Sequence, residues 1–263
     1  MVDGLNVGRL LDIMKRLRDP DGGCPWDLEQ DFRSIAPYTL EEAYEVADAI
    51  EQDNFTGLRE ELGDLLFQVA FHAQMANEAG LFDFRDVLDG ICEKMSRRHP
   101  HVFADEIIES AEAQTHAWEQ HKASERGSLD SLLDGVPLAL PALTRAAKLQ
   151  RRASRAGFDW PSIHGVSDKV EEELEELCRE IDQGADRDAI MEEAGDLLFA
   201  TVNLLRHAGI DPESALRRGN EKFSRRFRRV EAMCVEAGQA VADTDLDTLD
   251  TYWDRVKELE ENH

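Results

Sequence analysis

Two sets of closely spaced acidic residues are the side chains in this sequence best suited to chemistry. Each set begins with carboxylates three and four residues apart, a spacing that places them on one face of a helix. Two more carboxylates, three residues apart, follow on the next apolar stretch. The first set is Glu41, Glu42, Glu45, Glu61 and Asp64, and the second is Glu172, Glu173, Glu176, Glu193 and Asp196. If the two helices of a set pack antiparallel, four or five carboxylates converge on one space.

Carboxylates at helical spacing usually form a solvated helix face, and that interpretation is sufficient for any one of these pairs taken singly. It does not explain why the cluster occurs twice, on stretches with strong apolar faces and few cationic partners at helical spacing. Like charges so close destabilise a helix, and a divalent cation would remove the repulsion. Donors that are all oxygen favour a hard cation, Mg²⁺ with Mn²⁺ as the other candidate. Such an ion in turn suits a phosphate substrate.

A pair of basic residues also recurs in both halves of the sequence. Lys222 and Arg226 are four apart, and Lys94 and Arg98 repeat the spacing. Solvated charge or pairing with acidic helices is an equally good interpretation of each residue alone. Their recurrence on a chain of net charge -26 favours phosphate binding, in which lysine acts as a point charge and arginine as a bidentate donor. Trp253 could stack on a base, although a tryptophan on an amphipathic helix more often belongs to the core.

The elements that carry these residues are predicted to be helices. In EELGDLLFQVA, residues 60–70, the residues Leu62, Leu65, Leu66 and Val69 recur at three- and four-residue spacing. This pattern predicts an amphipathic helix with these side chains on its buried face. Similar patterns occur along most of the chain, and alternating strand-like runs are scarce. The sequence therefore predicts an all-α protein.

The same motifs occur twice in the same order, which indicates an internal duplication. GCPW ends at Trp26 and GFDW at Trp160, EELGDLLFQVA returns as EEAGDLLFATV, and EKMSRRH returns as EKFSRRF. Glycine and proline residues between the copies mark a linker. We expect two homologous helical-bundle domains, residues 1–125 and 136–263, joined by a linker at 126–135.

The composition restricts the partners of the protein. With 56 acidic and 30 basic residues, the surface repels phosphate backbones, which disfavours general nucleic-acid binding. No apolar run approaches the roughly 20 residues that span a bilayer, and no secretory signal is visible at the N-terminus. The four cysteines form no Cys-x-x-Cys pair, and such widely spaced thiols suit a reducing compartment. We expect a cytoplasmic protein without a nucleic-acid or membrane partner.

These motifs together resemble the MazG family of nucleoside triphosphate pyrophosphohydrolases, in its two-domain form. The resemblance covers nearly the whole chain. It is carried by EExxE followed by ELGD at 41–64, by EELEE followed by EAGD at 172–196, and by RLRDPDGGCPWD, APYTLEEAYEV, RRHPHVF, GFDW and NEKFSRRF. The resemblance implies an all-α fold, with each domain built around a helical bundle, and a homodimer.

The resemblance also implies the activity. It is that of a Mg²⁺-dependent hydrolase converting ribo- and deoxynucleoside triphosphates to the monophosphate and pyrophosphate, in a nucleotide-pool housecleaning role. In two-domain members the C-terminal domain carries most of the catalysis. The predicted mechanism is attack of a metal-activated water on the α-phosphate, with a carboxylate taking the proton and pyrophosphate leaving.

The resemblance assigns roles to residues by their position in the motifs. The metal ligands would be Glu173, Glu176, Glu193 and Asp196, and the catalytic carboxylates would be Glu172 and Glu173. Contacts to the nucleotide or its phosphates would come from Lys169, Lys222, Arg226, Trp253 and Lys257. The intact set in the first half, which is a second candidate metal site, comprises Glu41, Glu42, Glu45, Glu61 and Asp64 with Lys94 and Arg98.

Two alternatives share these sequence features. A relative with narrower substrates, such as a dimeric dUTPase or a phosphoribosyl-ATP pyrophosphohydrolase, would use the same carboxylates. A helical scaffold would instead bind metal structurally in its acidic clusters and act through a protein partner. Nucleotide turnover by a panel of substrates separates the first alternative from a broad enzyme, and loss of turnover on changing the carboxylates excludes the second.

Overall fold

The computed structural model describes residues 5–104, 110 and 131–261. The chain divides into two compact units, Met1–Gly127 and Ser128–His263. Every regular element in the described ranges is helical, so the predicted all-α class is confirmed. Residues 126–130 of the predicted linker lie outside the described ranges, and the predicted domain bounds stay a prediction.

The first unit is arranged around a helical hairpin. Its helices are α1 (Leu5–Leu17), α2 (Pro25–Glu29), α3 (Phe32–Glu51), α4 (Phe55–Glu78), α5 (Phe84–Arg98) and α6 (Pro100–Phe103). The hairpin is formed by α3 and α4, which pack along each other, and α1 packs on α4. A capping box between Asp31 and Ser34 starts α3, and the Asn54 side chain accepts a hydrogen bond from the Gly57 N–H at the start of α4. These caps fix where the two acidic helices begin.

The second unit repeats this hairpin. Its helices are α7 (Ala142–Arg155), α8 (Ile163–Gln183), α9 (Arg187–His207), α10 (Pro212–Glu236), a 3₁₀ turn (Val241–Asp243) and α11 (Leu246–Glu261). The hairpin is formed by α8 and α9, and α7 packs on both α9 and α10. Gly184 ends α8 with φ of 68°, a left-handed conformation that glycine adopts without a steric penalty. Asp186 then caps α9 and turns the chain back.

Each unit has its own apolar core. In the first, Met14 of α1, Ile35 of α3 and Phe71 and Met75 of α4 are buried against one another. In the second, Val230, Cys234 and Val256 form a core between α10 and α11. Within the described ranges, no helix is both long and apolar enough to cross a bilayer.

The buried face predicted for the helix at 60–70 is only partly correct. Leu62 and Leu66 are 49% and 43% exposed, and Leu65 and Val69 are half-buried. Every buried residue of α4 lies from Gln68 onward. The neighbouring helices therefore cover the second half of α4 and leave the first half, which carries the acidic residues, on the surface of the unit.

Candidate metal centre and adjoining cavity

The hairpin of α8 and α9 brings together three of the predicted metal ligands. One carboxylate oxygen each from Glu173, Glu193 and Asp196 lies within 4.8 Å of the others. Glu173 is buried on α8, and the other two stand three residues apart on α9. Glu176, the fourth predicted ligand, is half-buried near the same space, where its charge acts on Glu193.

The electrostatics of this cluster fit a hard divalent cation. Partial burial raises the pKa of Glu193, and the negative charges of Glu176, Asp196 and Glu173 raise it further. The donors are all carboxylate oxygens, the ligand type that Mg²⁺ and Mn²⁺ prefer. A cation held by these side chains would remove the repulsion that the cluster creates.

Lys169 provides a cationic partner inside the cluster. Its Nζ lies 2.6 Å from Glu173 and 2.9 Å from Glu172 on the same helix. Hydrogen bonds to Glu173 and Glu172 raise the pKa of Lys169 above its ordinary value. The expectation of few cationic partners at helical spacing is therefore wrong for these two carboxylates, because residues three and four apart face each other on a helix. Lys169 thus lies beside both predicted catalytic carboxylates.

A cavity of about 450 Å³ adjoins the carboxylates of the second unit. Part of its wall is charged and includes Lys169, Glu173 and Asp196. The rest is mostly apolar or aromatic and includes Leu149, Phe158, Trp160, Val166 and Phe199. The volume is within the usual range of small-molecule pockets. With a cation held by the carboxylates, the arrangement would suit a ligand that combines an anionic part with a flat apolar part.

The loop between α7 and α8 borders the cavity and is held by an ion-paired network. Asp159 accepts a hydrogen bond from Arg206 at 2.5 Å and lies 2.8 Å from His207 Nε2. Burial alone would raise the pKa of Asp159, but the hydrogen bonds with Arg206 and His207 lower it. Gly165 lets Trp160 of the loop pack on α8, since a Cβ there would lie 2.7 Å from the Trp160 Cδ1 atom. The loop is thus fixed at an acidic and at an aromatic residue.

The first unit forms a comparable acidic cluster on α3 and α4. One carboxylate oxygen each from Glu42, Glu45 and Glu61 lies within 4.8 Å of the others. Partial burial raises the pKa of Glu61, and the charges of Glu45 and Asp64 raise it further. Glu41 is exposed on α3. In both halves, therefore, the described structure gathers predicted carboxylates into one space.

The surroundings of the first cluster differ from those of the second. Tyr38 stands four residues before Glu42, the position that Lys169 has relative to Glu173. The Tyr38 ring packs edge-on against Trp26, with ring centres 5.9 Å apart. The basic pair of this half lies on α5, where Lys94 is exposed and Arg98 is half-buried.

The predicted phosphate-binding residues of the second half lie on α10 and α11. Arg226 Nε donates to Glu260 at 2.8 Å, and its guanidinium carbon lies 5.9 Å from the centre of the Trp253 ring. Lys222 is exposed on α10, and Lys257 is half-buried on α11. The structure thus brings Arg226 and Trp253 together, with Glu260 as the carboxylate partner of Arg226. Their role toward phosphate stays a prediction.

The acidic and basic patterns predicted only Lys169, Glu173 and Asp196 of the cavity wall. Gln150, Phe158, Asn203 and Arg206 all line it, and none belongs to the acidic or basic patterns. One signal was present in the repeat. Ten residues after the Glu193 that matches Glu61, the second half has Asn203 where the first has Phe71.

These features define a duplicated all-α protein with an acidic centre on a helical hairpin in each half. The MazG nucleotide pyrophosphohydrolase domain matches residues 30–103 and 163–230, one copy in each unit. The chain belongs to the MazG family, and the predicted family is confirmed.

Relatives match the chain over almost its whole length. A nucleoside triphosphate pyrophosphohydrolase from Escherichia coli K12 is 53% identical over 257 residues, which cover 97% of this chain and 98% of the relative. A MazG protein from Thermotoga maritima, named nucleoside triphosphate pyrophosphohydrolase/pyrophosphatase, is 43% identical over 255 residues, 97% of this chain and 96% of the relative. A solved mazG-related protein from Thermotoga maritima is 31% identical and aligns with 44% of this chain and 98% of its own, with a TM-score of 0.38. The sequence relatives, rather than this structural match, support the assignment.

Proposed function

We propose that this protein hydrolyses nucleoside triphosphates to the monophosphate and pyrophosphate with Mg²⁺, chiefly in its second half. The observation that carries the proposal is the cluster of Glu173, Glu193 and Asp196, whose oxygens lie within 4.8 Å of one another at a cavity of about 450 Å³. The name of the 53% identical relative supports the same activity. The acidic chain also needs a cation before it can bind an anionic substrate, because its net charge is -26.

The carboxylates of the α8–α9 hairpin would hold the metal. Glu173, Glu193 and Asp196 supply the converging oxygens, and Glu176 adds negative charge beside them. When bound, Mg²⁺ would neutralise charge on the triphosphate and help to orient it. The pairing of Lys169 with Glu173 balances part of the negative charge and holds the buried carboxylate in place.

Glu172 is suited to accept the proton of the attacking water. Its carboxylate is 57% exposed and stays outside the converging trio, while Lys169 holds one of its oxygens at 2.9 Å. The water oxygen forms a bond to the α-phosphorus, the bond from that phosphorus to the bridging oxygen breaks, and the water proton passes to Glu172. Pyrophosphate leaves with the electron pair, and Lys222 and Arg226 are the proposed partners of its charge. Arg226 would exchange its Glu260 contact for phosphate.

The products and the position of attack test the proposal directly. Turnover of ATP in ¹⁸O-labelled water is expected to give AMP and pyrophosphate, with the label in AMP. Label in pyrophosphate would move the attack to the β-phosphorus. Orthophosphate together with ADP would contradict a pyrophosphohydrolase.

We further propose a broad substrate range across ribo- and deoxynucleoside triphosphates and a housecleaning role in the cytoplasm. The four free cysteines are consistent with a reducing compartment. A panel of nucleotides separates this proposal from the narrower enzymes, since a dUTPase or a phosphoribosyl-ATP pyrophosphohydrolase would turn over one member of the panel. If Glu193→Gln and Asp196→Asn retained turnover, the carboxylates of the second half would not be catalytic.

A homodimer is also proposed. Met191, Leu198 and Leu216 of the second unit are 61%, 58% and 54% exposed, and Leu62 and Leu66 of the first unit are exposed beside its acidic cluster. Apolar surface of this kind commonly marks an interface. Light scattering is expected to give twice the mass of the chain, and a monomer mass at all concentrations would contradict the dimer.

A further inference from the structure

The cavity has one polar wall residue whose orientation is fixed. Asn203 is 5% exposed and lines the cavity. Its Oδ1 accepts hydrogen bonds from Arg206 Nε at 2.9 Å and from the terminal guanidinium nitrogen at 2.8 Å. Because Arg206 can only donate, the amide oxygen of Asn203 must face it. The Nδ2 amide has no hydrogen-bond partner among the described residues, so it is an available donor.

Arg206 is itself held in place. It donates to Asp159 at 2.5 Å, and Asp159 also contacts His207. The side chains of Arg206 and Asp159 are 12% and 24% exposed, so this ion pair is largely shielded from water. The chain of contacts from Asp159 through Arg206 to Asn203 therefore fixes one amide donor at the cavity wall.

The remaining wall suits a flat ring. Phe158, Trp160 and Phe199 supply aromatic surface, and aromatic side chains stack on nucleobases without requiring one particular base. Gln150 also lines the cavity, where its Nε2 donates to the Phe199 carbonyl at 2.8 Å. Its Oε1 is one of four buried side-chain atoms without a partner in the described residues, and it is the one that belongs to this cavity.

We propose that this cavity is the nucleobase pocket of the site and that Asn203 is its base-binding residue, donating from Nδ2 to a ring nitrogen or carbonyl oxygen of the base. The inference rests on the proposed function, because a metal held by Glu173 and Asp196 would then receive the triphosphate of the same ligand. All four bases present an acceptor at an edge, so a single donor reads the presence of a base rather than its identity. This is consistent with a broad substrate range.

In the first half, the position that corresponds to Asn203 belongs to the apolar core. Phe71, which corresponds to Asn203, is 1% exposed and packs with Met14, Ile35 and Met75. An apolar core therefore occupies the place where the second half has a polar wall residue and a cavity. The nucleobase pocket is accordingly assigned to the second half.

Asn203→Asp tests the donor with the smallest change in shape. The aspartate keeps an oxygen for Arg206 and replaces the Nδ2 donor by an acceptor. Calorimetry in Mg²⁺ compares an α,β-methylene ATP analogue with tripolyphosphate, which carries the phosphates without a base. We expect the dissociation constant of the nucleotide analogue to rise at least about tenfold, as for loss of a buried hydrogen bond, and that of tripolyphosphate to change less than about twofold. Equal changes for both ligands, or none for either, would overturn the inference.

A second variant guards against a folding defect in Asn203→Asp. Phe158 is 78% exposed, so Phe158→Ala is expected to leave the helical content and melting temperature unchanged. It is expected to raise the dissociation constant of the nucleotide analogue and to leave that of tripolyphosphate unchanged. Cys24→Ala is the matched control, since Cys24 stands two residues before Trp26 as Phe158 does before Trp160. If Phe158→Ala binds the nucleotide analogue as wild type does, no base lies against this wall.

The failure of the inference is distinguishable from failure of the proposed function. A wild-type protein that releases no pyrophosphate from any nucleotide contradicts the function. In that case the pocket is tested by the binding of adenosine, which has a base but no phosphate. Adenosine binding that is lost in Asn203→Asp supports the pocket, and absence of adenosine binding to wild type together with unchanged nucleotide binding in Asn203→Asp excludes it.

Discussion

The two halves of this protein have the same acidic hairpin but different space beside it. In the first half, Phe71 packs into a core with Met14, Ile35 and Met75. In the second, the corresponding Asn203 lines a cavity of about 450 Å³. In each hairpin, carboxylate oxygens from three residues lie within 4.8 Å of one another. The comparison teaches that the two copies of a duplicated domain can keep the same acidic cluster while the side chain at one matched position lies in a core in one copy and at a cavity in the other.

A second difference lies one turn before Glu42 of the first cluster and before Glu173 of the second. Tyr38 of the first half packs on Trp26, whereas Lys169 of the second half pairs with Glu173 at 2.6 Å. Tyr38 thus packs on the aromatic ring of Trp26 in α2, whereas Lys169 brings a positive charge to the carboxylates. Both differences favour the second half as the site of turnover.

The largest expected effect comes from neutralising matched carboxylates in the two hairpins. Glu193→Gln or Asp196→Asn is expected to lower pyrophosphate release by more than about 100-fold, since even an outer partner of a metal ligand is worth roughly 10- to 100-fold. Glu61→Gln and Asp64→Asn are expected to retain most of the rate. The rates are measured with ATP and saturating Mg²⁺, with circular dichroism as the folding control. Equal losses in the two halves would mean that both turn over nucleotide.

Exchanging the residue that distinguishes the two halves has the next largest effect. Phe71→Asn removes a ring from a packed core and is expected to cost about 4 kcal/mol of unfolding free energy, the usual scale for deleting a buried phenylalanine. Asn203→Phe is expected to fill the cavity and lower nucleotide affinity by at least about tenfold, with no comparable loss of stability. Thermal melting and calorimetry measure the two quantities. If Phe71→Asn melted at the wild-type temperature, the Phe71 ring would not contribute to a packed core in the first half.

Removal of the metal should affect both halves, because both gather carboxylates. A site at 100 times its dissociation constant adds about 2.7 kcal/mol, which for a protein of this size is a melting shift of several degrees. Glu193→Gln and Glu61→Gln are each expected to lose part of the shift that Mg²⁺ gives to wild type, compared with the same samples in EDTA. An intact shift in Glu61→Gln would confine the metal to the second half.

The smallest effect is the pH dependence of the metal-free protein. Folding raises the pKa of Glu193 and of Glu61 above the ordinary value of 4.5. The ionised side chains therefore oppose folding above the raised pKa, and the penalty disappears below the unfolded value. Without metal, Glu193→Gln is expected to melt above wild type at pH 7, with a difference that shrinks as the pH falls toward 4.5. A melting-temperature difference that grows as the pH falls would contradict the proposed charge repulsion at Glu193.

Helical periodicity explains which parts of the site could be predicted. Spacings of three and four fix residues on one helix face, so the convergence of Glu173, Glu193 and Asp196 required only that two neighbouring helices form a hairpin. The pairing of Lys169 with Glu173 follows the same spacing and was available from it. The all-α class follows from the recurrence of such patterns along the chain.

Tertiary packing accounts for what the sequence patterns did not predict. The cavity depends on which side chains fill the space between α7, α8 and α9, and no local spacing encodes that volume. Arg226 and Glu260 are separated by 34 positions and meet only because α10 packs on α11. The exposure of Leu62 likewise depends on where neighbouring helices end.

The number of nucleotides bound per chain tests the central claim most directly. With Mg²⁺ and the α,β-methylene ATP analogue, calorimetry is expected to give one site per chain in wild type and in Glu61→Gln, and binding at least about tenfold weaker than wild type in Asn203→Phe. The analogue cannot be cleaved between its α- and β-phosphorus atoms, so the count is not disturbed by turnover. Two equivalent sites per chain, or one site that keeps its wild-type affinity in Asn203→Phe and is lost in Glu61→Gln, would contradict the assignment of nucleotide binding to the second half.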